Sequence, residues 1–410
     1  MSDILQEFYG EHRPQSEHGA SPYFESFGLE DNPFPPNRKI IAEVLHGQEN
    51  AFDKFKALAR DVLTQGAPKR RAMGVVAGTG GGKTHFLRHC QYKFSRLCQA
   101  LGRTFAIVEY TAGTLSVLEL VRDIYRQCDA SCRASAEADF LSALIKALAS
   151  KGAVADQLLR DIALEDLRNA LAGLMSTSQK SAGEGETSIQ AYEAHGELFR
   201  RWLQGDTLTE AERRRLGVMY RIGSAAVAVR ILGQILSLAR QLGVVEGVLL
   251  CLDEMEAIPA KGARLARAQA FLQDLRYFYD DALKDEQGYS LLLLSASTTT
   301  GSRSLLELNY PVYQRLGFEE SERVELQRIR GVVEAIRFAR DYIQYAHERW
   351  RQARGMDARP AKEPHALLSD SAIEDSFREA AAGGADAPQG PLLDVLHRKV
   401  EEHRRAEGKK

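Results

Sequence analysis

Residues 77–84 read Ala77-Gly78-Thr79-Gly80-Gly81-Gly82-Lys83-Thr84, directly after the apolar run Met73-Gly74-Val75-Val76. Glycines at this spacing let the backbone curl with its N–H groups turned inward around a phosphate, in conformations that a Cβ resists. Lys83 offers a cation to β- and γ-phosphates, and Thr84 offers a hydroxyl to Mg²⁺. The chemistry implied is capture of a nucleoside triphosphate, ATP with Mg²⁺. The strict pattern asks for glycine at the first position; Ala77 is small enough to leave the loop intact. His85-Phe86-Leu87-Arg88-His89 begins a helix whose N-terminus adds partial positive charge.

A second cluster lies far downstream. Gly247-Val248-Leu249-Leu250-Cys251-Leu252 is a continuous apolar run, the pattern of a strand buried on both faces, and it ends in Asp253-Glu254. Acidic groups at the carboxyl end of a central parallel strand stand where an α/β sheet meets its ligand. Asp253 can hold Mg²⁺ through water, and Glu254 can polarise the water that attacks a γ-phosphate. Many core strands end at a solvated acidic turn. It is the phosphate loop upstream that turns this one into half of a nucleotide site.

These residues need elements to position them. The predicted strands fall at about 73–77, 104–110, 247–252 and 290–297, each separated by helical periodicity, which implies an α/β protein with a parallel sheet. Helices are expected before Gln65-Gly66, after the phosphate loop to about 100, and at about 115–127, 134–175, 189–204, 207–242 and 262–284, with a helical C-terminal third. Ser176 to Glu186 reads as a mobile linker. An aromatic and proline-rich opening loop runs from Tyr23 to Pro36. No internal repeat is visible.

Composition narrows the class. With 410 residues and 44% hydrophobic content the chain can bury one large core or two moderate ones. Its apolar runs are too short to span a bilayer and Met1-Ser2-Asp3-Ile4 opens no signal segment, so a cytoplasmic protein without membrane contact is expected. The five cysteines are scattered, with no second pair to complete a zinc site beside Cys128 and Cys132, and read as reduced thiols. His85 and His89 have metal-binding spacing but lack a third ligand. A net charge of −2 announces no nucleic acid, so any DNA contact must come from local patches. Candidates are Lys69-Arg70-Arg71, Arg213-Arg214-Arg215, the C-terminal basic tail, and Arg264, Arg267 and Arg276 on the helix after the acidic strand. Each is more often a solvated face than a phosphate reader. Trp202 could stack on a base, yet beside Leu203 it reads as core.

Taken in order, Gly47-Gln48-Glu49, the phosphate loop, Asp253-Glu254, the polar end of the Leu291–Leu294 strand and Arg315 resemble the AAA+ ATPase layout. The similarity is to its initiator (Orc/Cdc6-like) and transposition-ATPase branch, whose Phe-Gly-Leu…Pro-Phe opening resembles Phe27-Gly28-Leu29 through Pro33-Phe34. The resemblance implies that the opening loop with Gly47 and Gln48 borders the adenine. It implies that Ser297, or Ser295 beside it, senses the γ-phosphate, and that Arg315 in Tyr313-Gln314-Arg315-Leu316 reaches the ATP of a neighbouring subunit. Phe199-Arg200-Arg201-Trp202-Leu203-Gln204-Gly205, with the acidic strand, is also similar to P-loop ATPases of bacterial BREX-type phage-defence islands. That similarity implies an accessory ATPase with protein partners in a multi-gene antiviral system.

The expected organisation is a flexible segment at 1–22, an AAA+ core at 23–125 and 241–325, a helical insertion at 126–240, and a helical lid at 326–410. The insertion accounts for the unusual distance between Lys83 and Asp253, too long for a structureless loop. The lid departs from the family pattern, because the stretch Asp386 to Leu393 carries no arginine to meet a γ-phosphate. Three functions fit the residues. The first, to which the sequence points, is a homo-oligomeric ATPase acting on or with double-stranded DNA. The second is a nucleotide-gated signalling adaptor that turns ATP over slowly and recruits an effector protein. The third is a small-molecule kinase, against which Arg315, the helical C-terminus and the lack of an acceptor-binding motif all argue.

Overall fold

The computed structural model describes residues 21–35, 39–134, 139–181, 186–258, 262, 264–281, 288–382, 384 and 386–407. In chain order the helices are α1 (Pro22–Ser26), α2 (Glu49–Leu63), α3 (Lys83–Leu101), α4 (Val117–Ala134), α5 (Phe140–Ser150), α6 (Ala153–Arg160), α7 (Glu165–Ser181) and α8 (Glu186–Leu203). They continue as α9 (Glu210–Leu216), α10 (Ala225–Gln241), α11 (Leu265–Asp281), α12 (Thr299–Leu308), α13 (Tyr310–Arg315), α14 (Gly331–Arg354), α15 (Asp370–Ala381) and α16 (Gln389–Glu407). The strands are β1 (Arg70–Val76), β2 (Phe105–Thr111), β3 (Gly247–Asp253), β4 (Ser290–Ser297), β5 (Val324–Glu325), β6 (Ile329–Arg330) and β7 (Asp386–Ala387).

Among the described residues the chain forms two compact units. The larger runs from Gln48 to Gln327 and holds a five-stranded sheet in the order β2-β3-β4-β1-β5, every pair parallel. All residues of β3 and β4 are buried, which is why both strands are unbroken apolar runs: helices cover both faces of a parallel sheet. Val76 is in register with Ser297 and Leu252 with Ser295, so the phosphate loop, the acidic pair and Ser297 leave the sheet at the same, carboxyl end of its central strands. β1 lies so close to the chain after α13 that a Cβ on Gly74 would stand 2.5 Å from the carbonyl oxygen of Gly317. The Gly74 N–H donates to that same oxygen at 2.8 Å.

The stretch expected as an insertion is helical from α5 to α10, and its apolar side chains belong to the hydrophobic cluster that includes Val248, Leu250 and Leu252 of β3. Trp202 is 2% exposed with Phe199 beside it, and its indole N–H donates to the carbonyl of Tyr220 at 3.0 Å. Several predicted boundaries move. The single helical stretch at 134–175 is α5, α6 and α7, broken at Lys151-Gly152 and at 161–164, and the predicted 207–242 helix is α9 and α10. The break follows Gly217, which takes a left-handed φ of 77° and closes α9 as its C-cap. The expected linker at Ser176 begins inside α7, which runs to Ser181, and Glu186 already belongs to α8; residues 182–185 lie outside the described residues.

The smaller unit gathers the described residues up to Gly47 with those from Arg328 onward. Phe24, Phe27, Leu29 and Phe34 are buried in one cluster with Phe338, Tyr342, Phe377 and Leu396 of α14, α15 and α16. The aromatic opening segment, expected with the ATPase core, therefore has its hydrophobic partners in the C-terminal helices. Residues 1–20 of the segment expected to be flexible lie outside the described residues. Together the architecture is the mixed α/β arrangement that the AAA+ resemblance implies: a parallel sheet, a long helical stretch before the acidic strand, and a helical C-terminal region.

Candidate functional site

β1 delivers the chain into a loop whose shape depends on its glycines. Gly80 and Gly82 have φ of 72° and 83°, and a Cβ on Gly81 would lie 2.9 Å from the Ala77 Cβ and 2.9 Å from the Gly78 carbonyl oxygen. Ala77 is 2% exposed, so its methyl fills space that Gly81 leaves free. Gly82 then caps α3 with no side-chain acceptor, and the first turn of the 19-residue helix carries no acid. Its leading N–H groups have no side-chain cap, in the arrangement that favours an anion.

Two carboxylates approach this loop from the acidic strand. Thr84 Oγ1 donates to Asp253 Oδ2 at 2.5 Å, although 169 positions separate them in sequence. Asp253 is 5% exposed, and its other oxygen accepts the Glu254 N–H at 2.8 Å. Glu254 itself is exposed and adopts φ 55°, ψ 39°, a left-handed conformation that costs a residue with a Cβ about 1–2 kcal/mol. Such strain is found where a side chain must be aimed. Lys83, 10% exposed at its side chain, pairs with Glu256 at 3.3 Å. Glu256 was not among the residues picked from sequence; its signal was the alternation of acids in Asp253-Glu254-Met255-Glu256.

The end of β4 completes the cluster. Ser297 is fully buried, and its Oγ has no hydrogen-bond partner among the described residues; the same holds for Ser295. A Cβ on Gly301 would fall 2.6 Å from Ser297 Oγ and 2.5 Å from Glu256 Cβ, so glycine there lets α12 close on both. A loop whose curl rests on the left-handed Gly80 and Gly82, a hydroxyl-carboxylate pair of hard oxygen donors and an unpartnered buried hydroxyl together fit a nucleotide with Mg²⁺.

Other sequence candidates have different surroundings. Gln48 is 5% exposed, and its amide is fully engaged with one residue: Nε2 donates to the Gln327 carbonyl at 2.9 Å, and Oε1 accepts the Gln327 N–H at 3.0 Å. Gly47, in the smaller unit, has φ 67° and Glu334 beside it. Arg315 ends α13 with its Nε donating to Asp280 Oδ1 at 2.6 Å and an Nη to the Pro311 carbonyl at 2.9 Å. Asp280 also faces Arg70 at 3.6 Å and Arg276 at 3.5 Å. Many candidate DNA-contact residues are likewise paired: Lys69 and Arg71 share Asp61, Arg214 meets Glu210, and Arg398 meets Glu379. Arg264 and Arg267 are exposed on the larger unit, with Arg267 donating to the Thr114 carbonyl at 3.2 Å. His89 packs edge-on against Phe52, and no metal-ligand cluster of three occurs among the described residues. Nor does any described helix have the length and apolarity to cross a membrane.

Residues 186–352 match the family described as BREX system ATP-binding protein BrxC/D. The match is under half of the chain; it takes in the acidic strand, β4 and Arg315, while the phosphate loop lies upstream of it. Two solved structures from Aeropyrum pernix align with the chain at 14% identity. The ORC1 protein in complex with DNA aligns with a TM-score of 0.40 over 89% of this chain and 62% of its own length. The ORC2 protein in its ADPNP-ADP complexes aligns with a TM-score of 0.42 over 91% and 72%. The chain thus spans less than two thirds of the ORC1 structure. No curated protein matches the sequence significantly.

Proposed function

We propose that this chain is an ATPase that binds ATP between its phosphate loop and its acidic strand, and that it serves a BREX-type antiviral system. The observation that carries the reading is the hydrogen bond from Thr84 to Asp253, which joins two motifs from distant sequence into one oxygen-lined site beside Lys83. Thr84 and Asp253 would hold Mg²⁺, which when bound would neutralise charge on the phosphate oxygens. Backbone N–H groups of the loop hold the phosphates, apart from that of Gly81, which donates to the Gly78 carbonyl at 3.1 Å, and Lys83 adds its charge to them. Glu254, exposed at the strand end, orients a water and accepts its proton as that water attacks the γ-phosphorus, while the γ-phosphorus–oxygen bond to the β-phosphate breaks and ADP leaves. Ser297 offers its buried hydroxyl to the same region. Gln48 acts on the base side by fixing the backbone of Gln327 rather than by reading the ring with its own amide.

The larger assembly is part of the proposal: Arg315 acts across a subunit interface of a homo-oligomer, and exposed arginines such as Arg264 and Arg267 meet the phosphates of double-stranded DNA. Contacts of that kind are salt-sensitive and independent of sequence. Arg315 is engaged by Asp280 within its own chain, which favours a second reading, a nucleotide-gated adaptor with slow turnover that recruits a protein partner. Steady-state ATP hydrolysis over a protein-concentration series, with and without duplex DNA, separates the two. A rate per subunit that climbs with concentration and again with DNA supports interfacial sites on DNA. A slow rate that is flat in both supports the adaptor, and no hydrolysis with intact ATP binding removes the ATPase reading.

A further inference from the structure

We infer that Glu256 is an internal counter-ion for Lys83, one that the phosphates of an incoming nucleotide must displace, so that it sets the affinity and release of nucleotide. The inference rests on the reading of residues 77–84 as the phosphate site. Glu256 occupies the 3₁₀ turn Met255–Ala257 that follows the acidic strand, and its two oxygens have different partners. One faces Lys83 Nζ at 3.3 Å. The other accepts the backbone N–H of Thr298 at 3.1 Å. Thr298 is the N-cap of α12, so Glu256 is anchored to a folded helix start rather than free to swing with its own side chain.

The packing around Glu256 makes that anchoring rigid. Gly301 leaves room for the Glu256 backbone and Cβ, which would stand 2.9 Å (Cα) and 2.5 Å (Cβ) from a side chain there. Lys83 is 10% exposed and Glu256 28%, so water screens their attraction only in part. A carboxylate held beside the phosphate-loop lysine is a tethered anion with a high effective concentration, and an untethered phosphate has to compete with it. Two charges need not be lost together: Lys83 can turn to a phosphate while Glu256 keeps its bond to Thr298. The carboxylate then stands as a third negative group near the bound triphosphate, which hastens departure of the spent nucleotide.

The test is the dissociation constant of an N-methylanthraniloyl-labelled ADP, measured by fluorescence anisotropy with the full chain. E256Q removes the charge, keeps the size, and retains an oxygen for the Thr298 N–H. It is expected to bind the probe tighter than wild type by roughly 3- to 10-fold, the worth of a partly screened charge-assisted pair. A purely structural ion pair gives the opposite sign, because its loss loosens the loop. Folded E256Q that binds equally or more weakly overturns the inference. Should E256Q fail to fold, E256A serves: it removes the carboxylate altogether, so it too must bind tighter than wild type, and equal or weaker binding again overturns the inference. Wild-type protein that shows no saturable binding overturns the phosphate-site reading itself, a result distinct from either variant's failure.

Discussion

Thr84 and Asp253 meet through a 2.5 Å hydrogen bond between a hydroxyl at the start of α3 and a carboxylate at the end of β3. The bond brings the loop and the acidic strand into one site, with Lys83 the cation beside it. K83A is therefore expected to fold yet lose nucleotide binding, seen as no saturable anisotropy change with labelled ADP. A K83A protein with wild-type affinity would remove residues 77–84 from the function.

Glu254 separates chemistry from stability. E254Q keeps the size of the side chain but cannot accept a proton, so it should bind ATP and hydrolyse it about 10²-fold or more slowly. E254G relieves the left-handed backbone at φ 55° and should raise unfolding stability by about 1 kcal/mol while also abolishing turnover. Urea titration of the two variants checks the second half: a less stable E254G would mean that the conformation carries no strain.

For Arg315 the expected result is normal ATP affinity in R315A with turnover reduced about 10³-fold, the usual worth of an arginine supplied in trans. The fold should persist, since Asp280 keeps Arg70 and Arg276 within 3.6 Å and 3.5 Å. Wild-type hydrolysis by R315A would exclude it as a finger. Mixing R315A with E254Q adds a second check: subunits that complete each other's sites should recover part of the activity.

The parts of this fold that show in the sequence are those governed by local physics. β3 and β4 are legible because a strand buried on both faces must be apolar throughout, and the phosphate loop because only glycines fit its backbone. What is not legible depends on distant partners. Tyr23 to Pro36 carries aromatic residues that could bury anywhere; that Phe34 lies by Tyr342 is a tertiary fact. Gln48 reads as a polar residue near a base, while its amide is spent on Gln327. Ser176 to Ser181 is rich in residues that favour linkers, yet α7 continues through them. Glu256 needed its position against Lys83 before its part could be seen.

Trp202 tests whether the helical stretch before β3 is integral to the larger unit. W202A removes a 2% exposed indole and its bond to Tyr220, and should cost about 3–5 kcal/mol. Because Trp202 and β3 share one hydrophobic cluster, the loss should appear as a single shifted transition for residues 48–327. A separate early transition that leaves nucleotide binding intact would show an independent insertion domain.

All five cysteines are buried, and burial raises four of the thiols: Cys98 and Cys251 to about 12, Cys90 and Cys128 well above the usual range. Only the thiolate reacts, so native protein should release almost no thionitrobenzoate from Ellman's reagent at mildly alkaline pH. Denatured protein should release five equivalents. Prompt reaction of the native chain would mean that at least one of these buried positions opens readily.

The order of strands in the sheet has a consequence for synthesis. β1 pairs with β4 and β5, both of which come after residue 289, and Thr84 waits 169 positions for Asp253. At about 5–20 residues per second, a ribosome needs roughly 10–30 s to supply that partner. Through that interval β1, which leads into the phosphate loop, stands without β4 and β5, the strands that pair with it. The oxygen-lined meeting of Thr84 and Asp253 is thus a late product of translation, complete only after the helices between them have been made.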